Sequence, residues 1–244
     1  MSFNDANDEV PRKTLVMFFL IDVSGSMYGE KIGCVNDTMR ELLPEMKDLS
    51  DKNPDAIVKL AVMKFSYEGV WETPFPVDFD DYNWNDLVAD GPTALGDACK
   101  KLNDKLSREE FLQDKVGHLA PVIILLSDGE PNDDFSDGIE ILKRNGWFNV
   151  AIKVAIGIGS DYNKDILIDF TGSKELVIDA QNSDMLKKMI KFVAVKSSEI
   201  SSSNGDVTDK QKGQTEGQKQ MIENVQDALE EAEDEGTNDI PGFI

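Results

Sequence analysis

The chain has 244 residues, a formal charge of −22 and 40% hydrophobic content, enough for one large α/β domain, or a domain and a tail, whose core needs no disulfides. The surplus of carboxylates excludes a nucleic-acid binder, because phosphate contacts need clustered Lys and Arg, and it favours basic partners or bound cations. Residues Met1 to Thr14 are polar, without a basic n-region. The seven-residue apolar run that follows is too short for a signal h-region or a membrane span, so the expected location is cytoplasmic, with no membrane association.

Apolar runs predict strands over Leu15–Ile21, Ile57–Ser66, Val70–Pro74, Pro121–Ser127, Val150–Gly157 and Glu175–Ile178. The second and third, separated by Tyr67-Glu68-Gly69, read as a hairpin. Helices are expected over Lys31–Leu49, Ala94–Leu106, Asp134–Asn145, Asn163–Phe170 and Ser183–Lys196. In the first of them Ile32, Val35, Met39, Leu42, Leu43 and Met46 recur at three- and four-residue steps and form one buried stripe. Strands alternating with amphipathic helices give repeated βαβ units and a mainly parallel sheet with an antiparallel edge and helices on both faces.

After Ser197 the composition turns to Ser, Gly, Gln and Asp. The chain therefore divides into an N-terminal extension over 1–13, one domain over 14–200 and an acidic flexible tail over 201–244. A short amphipathic helix is expected in that tail, where Met221, Ile222, Val225, Ala228 and Leu229 keep helical spacing among acids. Cys34 and Cys99 fall in predicted helices, outside any CxxC or zinc spacing, and are expected as reduced core or boundary thiols.

The most informative segment is the first strand, which runs straight into Asp22-Val23-Ser24-Gly25-Ser26. A buried strand ending in an acid and two hydroxyls, with no soft ligand beside it, presents oxygen atoms suited to a hard cation. Asp90-Gly91-Pro92-Thr93 opens a helix, and a second apolar run ends in Ser127-Asp128-Gly129-Glu130. In a doubly wound sheet such ends meet in one crevice at the topological switch point, so Thr93 and Asp128 complete a candidate set with Asp22, Ser24 and Ser26. Glu130, Asp133 and Asp134 are expected as a solvated rim and a helix start. Phe75, Phe79, Tyr82 and Trp84 are expected to pin a long loop to the body.

Asp22-x-Ser24-x-Ser26 with a distant Thr93 and Asp128 resembles the metal-ion-dependent adhesion site of von Willebrand factor A domains, over roughly residues 12 to 200. The resemblance implies that Ser24 and Ser26 coordinate a divalent cation directly, Thr93 directly or through water, and Asp22 and Asp128 through water. It implies Mg²⁺, with Mn²⁺ or Ca²⁺ as substitutes, and an open position that takes a Glu or Asp carboxylate from a protein partner. Gly91-Pro92-Thr93-Ala94-Leu95-Gly96-Asp97-Ala98 and Asp128-Gly129-Glu130-Pro131 look further like TerY-type proteins of bacterial tellurite-resistance and stress clusters. Those imply a cytoplasmic scaffold working beside a kinase and a phosphatase. Asp90-Gly91-Pro92 departs from the more usual Gly-Gly before the threonine, and the acidic tail is outside the shared pattern.

Catalytic readings are weaker, and no catalytic residue is expected. His118 is the only histidine and precedes a strand in a polar loop, where it is expected to be exposed and far from Ser24 and Ser26. The alternative is metal-dependent phosphoryl transfer with Asp22 as nucleophile, yet the second acid such a site needs two residues later is replaced by Ser24.

Overall fold

The computed structural model describes residues 12–54, 56–113, 117–160, 162–180, 182–203 and 216–234. Strand β1 (Lys13–Asp22) is central because Leu15 to Ile21 are buried without exception, and a strand with no polar alternation has to be covered on both faces. Leu15, Met17, Phe19 and Ile21 enter one core layer, while Val16, Phe18 and Leu20 enter the other. The remaining elements, in chain order, are α1 (Glu30–Lys52), β2 (Ala56–Phe65), β3 (Gly69–Trp71), α2 (Leu95–Lys105), β4 (Val122–Ser127), α3 (Phe135–Lys143), α4 (Gly146–Val150), β5 (Ile152–Ile158), α5 (Lys164–Thr171), β6 (Val177–Ala180), α6 (Ser183–Ser203) and α7 (Glu216–Asp234).

The sheet has six strands in the order β3-β2-β1-β4-β5-β6. All neighbours are parallel except β2 and β3, which form the antiparallel edge. The chain leaves β1 for β2 on one side and returns to β4 on the other, so the carboxyl ends of β1 and β4 flank the switch point. Helices α1, α6 and α7 cover one face, and α2, α3 and α5 the other.

Several boundaries differ from the sequence reading, each for a local reason. The expected strand over Val150–Gly157 starts two residues later, because Asn145 caps α4 by accepting hydrogen bonds from the amides of Trp147 and Phe148. Lys174–Leu176 forms a 3₁₀ turn, which delays β6 to Val177. His118 was expected exposed but is 8% exposed: its backbone bridges Thr14, with Leu119 N donating to Thr14 O at 2.9 Å, so the segment lies alongside the start of β1. It stands at the amino-terminal edge of the sheet.

Two further expectations concern loops and tail. Phe79 is buried and Trp84 Nε1 donates to Asn36 Oδ1 at 3.1 Å, so these aromatics do hold their loop against α1, whereas Phe75 is exposed. In the stretch expected as a flexible tail, α7 is packed rather than solvated. Met221, Val225 and Ala228 are buried in the core layer beneath α6, and Ser197 Oγ lies 3.7 Å from Met221 Sδ. An amphipathic helix finds its partner when a neighbouring face is still uncovered, and α7 meets α6, β5 and the turn before β6. Residues 1–11 and the apolar end Ile240–Ile244 lie outside the described residues. Among the described residues no helix is long and apolar enough to cross a membrane.

Lys153 on β5 is 6% exposed, with Nζ donating to Phe148 O at 2.9 Å, and burial lowers its pKa to about 8. The unfolded chain, with an ordinary lysine pKa near 10.5, binds more protons between these values, so this residue's penalty is complete below pH 8 and fades by about pH 10.5. The gap corresponds to about 3 kcal/mol, of which the lost carbonyl contacts return about 1 kcal/mol. Lys153→Met is therefore expected to be more stable than wild type by about 2 kcal/mol at pH 7 in urea titrations, with the advantage shrinking above pH 8 and reversing, by about 1 kcal/mol, near pH 10.5. A difference independent of pH would contradict this assignment.

Candidate metal centre

The centre is built on the end of β1. Asp22 has no solvent exposure; its Oδ1 accepts from Ser24 N at 2.8 Å and its Oδ2 from Ser127 Oγ at 2.7 Å. Burial raises the Asp22 pKa, the hydrogen bonds from Ser127 and Ser24 oppose that rise, and the charge of Asp128 adds to it. The first bond turns the loop after β1 back on the strand end, and the second ties that end to the end of β4.

The loop then enters a 3₁₀ turn, Gly25–Met27, fixed by Gly25 N donating to Gly91 O at 2.8 Å. Ser24 Oγ and Ser26 Oγ lie 3.0 Å apart, and Ser26 Oγ donates to Asp128 Oδ1 at 2.7 Å. The other oxygen of Asp128 accepts from Lys31 Nζ, in the first turn of α1.

Thr93 reaches the same place from the segment before α2. Asp90 N donates to Val23 O at 2.8 Å and Ala94 N to Ser66 O at 2.8 Å, so this segment is held by the ends of both β1 and β2. Asn132 clamps Thr93 from the β4–α3 loop: its Oδ1 accepts from Thr93 N, and its own N donates to Thr93 O, each at 2.9 Å. Asp133 accepts from the amides of Gly96 and Asp97 at 2.9 and 2.8 Å, and Asp134 caps α3. These acids thus serve helix starts, on α2 as well as α3. The clamp needs α2 and α3 in near contact, and a Cβ on Gly138 would lie 2.3 Å from Gly96 O, which only glycine allows.

All five sequence-selected residues are brought together at the switch point. A Cβ placed on Gly129 would lie 3.1 Å from Thr93 Oγ1 and 3.6 Å from both Asp22 Oδ2 and Ser26 Oγ, so three oxygens, two from the end of β1 and its loop and one from the segment before α2, face one small space that glycine leaves open. Asp22, Ser24, Thr93 and Asp128 are buried and Ser26 is exposed, which opens that space to solvent on one side. The donor set is entirely oxygen, split between carboxylates and hydroxyls, which fits a hard divalent cation of the Mg²⁺ kind. Among the described residues no three His, Cys, Asp or Glu side chains form a group that could hold a metal ion, so a cation site here would draw on the hydroxyls as well.

Sequence reasoning did not assign roles to Lys31, Ser127 or Asn132. Ser127 was adjacent to a selected residue, but Lys31 and Asn132 act across 97 and 39 positions and carried no motif. Exposed Tyr28 follows the Gly25–Met27 turn, and the exposed Tyr67 ring lies over Gly91. Cys34 and Cys99 lie in opposite core layers and form no disulfide, and burial pushes the Cys99 thiol well up.

A sequence model of the von Willebrand factor type A domain matches residues 17–192. The chain belongs to this family. Among curated proteins none matches the chain by sequence. Solved structures similar to this von Willebrand factor type A chain include proximal thread matrix protein 1 from the mussel byssus with a zinc-occupied MIDAS motif, at 23% identity and TM-score 0.54, covering 75% of this chain and 45% of that one. A von Willebrand factor type A protein from Catenulispora acidiphila is 17% identical with TM-score 0.55, covering 75% and 42%. The pilus adhesin SpaC from Lactobacillus rhamnosus GG, in an open conformation, is 15% identical with TM-score 0.56, covering 75% and 30%. The chain spans under half the length of each, and at these identities the likeness is one of fold.

Gly129→Ala places a methyl group against Thr93 Oγ1 and narrows the shared space. Calorimetric titration with Mn²⁺ is expected to show at least a tenfold loss of affinity, with unfolding stability changed by no more than about 1 kcal/mol. Unaltered Mn²⁺ affinity would show that cations do not use this space.

Proposed function

We propose that the chain is a divalent-metal-dependent protein-interaction module and not an enzyme. Ser24, Ser26 and Thr93 hold the cation, and Asp22 and Asp128 orient its waters. The observation that carries this reading is the convergence of Thr93 Oγ1, Asp22 Oδ2 and Ser26 Oγ on the space beside Gly129. Mg²⁺ is the proposed resident, with Mn²⁺ or Ca²⁺ as substitutes, and the zinc-occupied motif of the mussel protein supports a cation in this place.

When bound, the cation supplies a vacancy for a Glu or Asp carboxylate of the partner. The protein's own groups do the rest. Neutral hydroxyls provide most of the direct contact and so leave the cation's charge incompletely cancelled toward an incoming anion. Exposed Ser26 marks the open side, and Tyr28 and Tyr67 on the adjoining segments offer aromatic contact to a partner. At a formal charge of −22 this chain repels an acidic surface, so the partner's carboxylate is best flanked by basic or neutral residues.

The structure of Asp22 favours this reading over phosphoryl transfer. Both of its oxygens are hydrogen-bonded, and the residue is fully buried, which suits a positioning role better than in-line attack. The segments around Gly91 and Asp128 that look like TerY-type proteins support a stress or tellurite-resistance scaffold beside a kinase and a phosphatase. Cys34 and Cys99, which form no disulfide, fit a reducing, cytoplasmic setting.

The test is capture of a partner on immobilised full-length chain in Mg²⁺, with release by chelator and loss of capture by the Ser26→Ala, Thr93→Ala double variant. Capture indifferent to both chelator and variant would remove the proposed role of the cation.

A further inference from the structure

Among the described residues Lys31 is the one lysine paired with the metal centre's own carboxylates, and its position is over-determined. It stands in the first turn of α1, two residues after Gly29 at φ +85°, and its Nζ donates to Asp128 Oδ2 while Ser26 Oγ occupies Oδ1. Its Cε and Nζ would lie 3.4 and 3.5 Å from a Cβ on Gly159, so the side chain crosses the loop after β5 on its way to Asp128. Lys31 therefore joins three loops of the carboxyl edge: those after β1, β4 and β5. The Asp128 side chain is wholly buried in this arrangement, whereas that of Lys31 is 37% exposed.

The charges decide what this contact does. Asp22 and Asp128 bring two carboxylates to the cage, Ser24, Ser26 and Thr93 bring none, and the Lys31 ammonium cancels one of the two. A divalent ion entering such a shell leaves a net positive centre, whereas without Lys31 it would leave a neutral one. A unit positive charge within a few ångströms of a divalent cation weakens its binding by about tenfold even at the dielectric of water, and the same charge strengthens the pull on an incoming carboxylate.

We propose that Lys31 is a positioning residue that sets the charge of the cage, lowering its affinity for the divalent cation while holding Asp128 in place before the cation arrives. This rests on the metal-centre reading given above, which it extends from the five oxygen-bearing side chains to a sixth residue. Lys31 trades tightness of metal binding for readiness to take an anionic ligand.

The test uses the full chain and Mn²⁺ alone as probe. Lys31→Gln removes the charge and keeps an N–H donor for Asp128, and Lys31→Arg keeps the charge. Calorimetry is expected to show about tenfold tighter Mn²⁺ binding by Lys31→Gln than by wild type, with Lys31→Arg within about threefold of wild type. In chelator, Lys31→Gln is expected to melt several degrees below wild type, a deficit that Mn²⁺ restores. A purely structural role for Lys31 would weaken metal binding in Lys31→Gln, never strengthen it. Equal or weaker binding by Lys31→Gln overturns the role of Lys31 and leaves the metal centre standing. Absence of Mn²⁺ binding by wild type and variant alike overturns the metal centre, and the role of Lys31 with it.

Discussion

A carboxyl group without solvent exposure at the end of a central strand has to find its hydrogen bonds locally, because an unsatisfied one costs several kcal/mol. Asp22 takes one from Ser24 N, which bends the chain back over the strand end, and one from Ser127 Oγ, which locks β4 beside β1 at the level of the crevice. The first bond sets the path of the loop that carries Ser24 and Ser26. The second sets the height at which Asp128 and Gly129 follow. The remainder of the centre is arranged around these two contacts.

Thr93 belongs to a different part of the fold and needs its own supports. The segment before α2 is pinned to β1 and β2 by backbone hydrogen bonds and to the β4–α3 loop by Asn132. Asp133 and the Gly96–Gly138 approach hold α2 and α3 together so that this clamp stays in register. Rigid strands thus place two clusters of oxygens, and a pair of helices in near contact places the third. Such pre-organisation reduces what has to be ordered when a ligand arrives.

Much of this could be read from the sequence because its signals are short in range. Seven consecutive apolar residues before Asp22 leave no face for solvent, so β1 had to be central, and the Asp-x-Ser-x-Ser spacing sits inside one loop. The stripe on α1 follows from helical periodicity alone. What escaped depends on contacts distant along the chain. Lys31 pairs with Asp128 across 97 positions, and Asn132 clamps Thr93 from another loop. The burial of Met221 on α7 depends on a face beneath α6 that composition does not reveal. The shift of β6 is a matter of one 3₁₀ turn, too local for periodicity to resolve.

The family's fold explains why a strand end, two loops and a helix start converge here, and the chemistry of the converging atoms, hydroxyls with two acids and one ammonium, explains why a hard cation is the fitting guest. The most direct measurement is diffraction from crystals soaked in Mn²⁺, with data collected at the manganese absorption edge. The account requires a single strong anomalous peak per chain in the space bounded by Ser24, Ser26, Thr93 and Gly129. A peak elsewhere on the acidic surface, with that space holding only water, would contradict it.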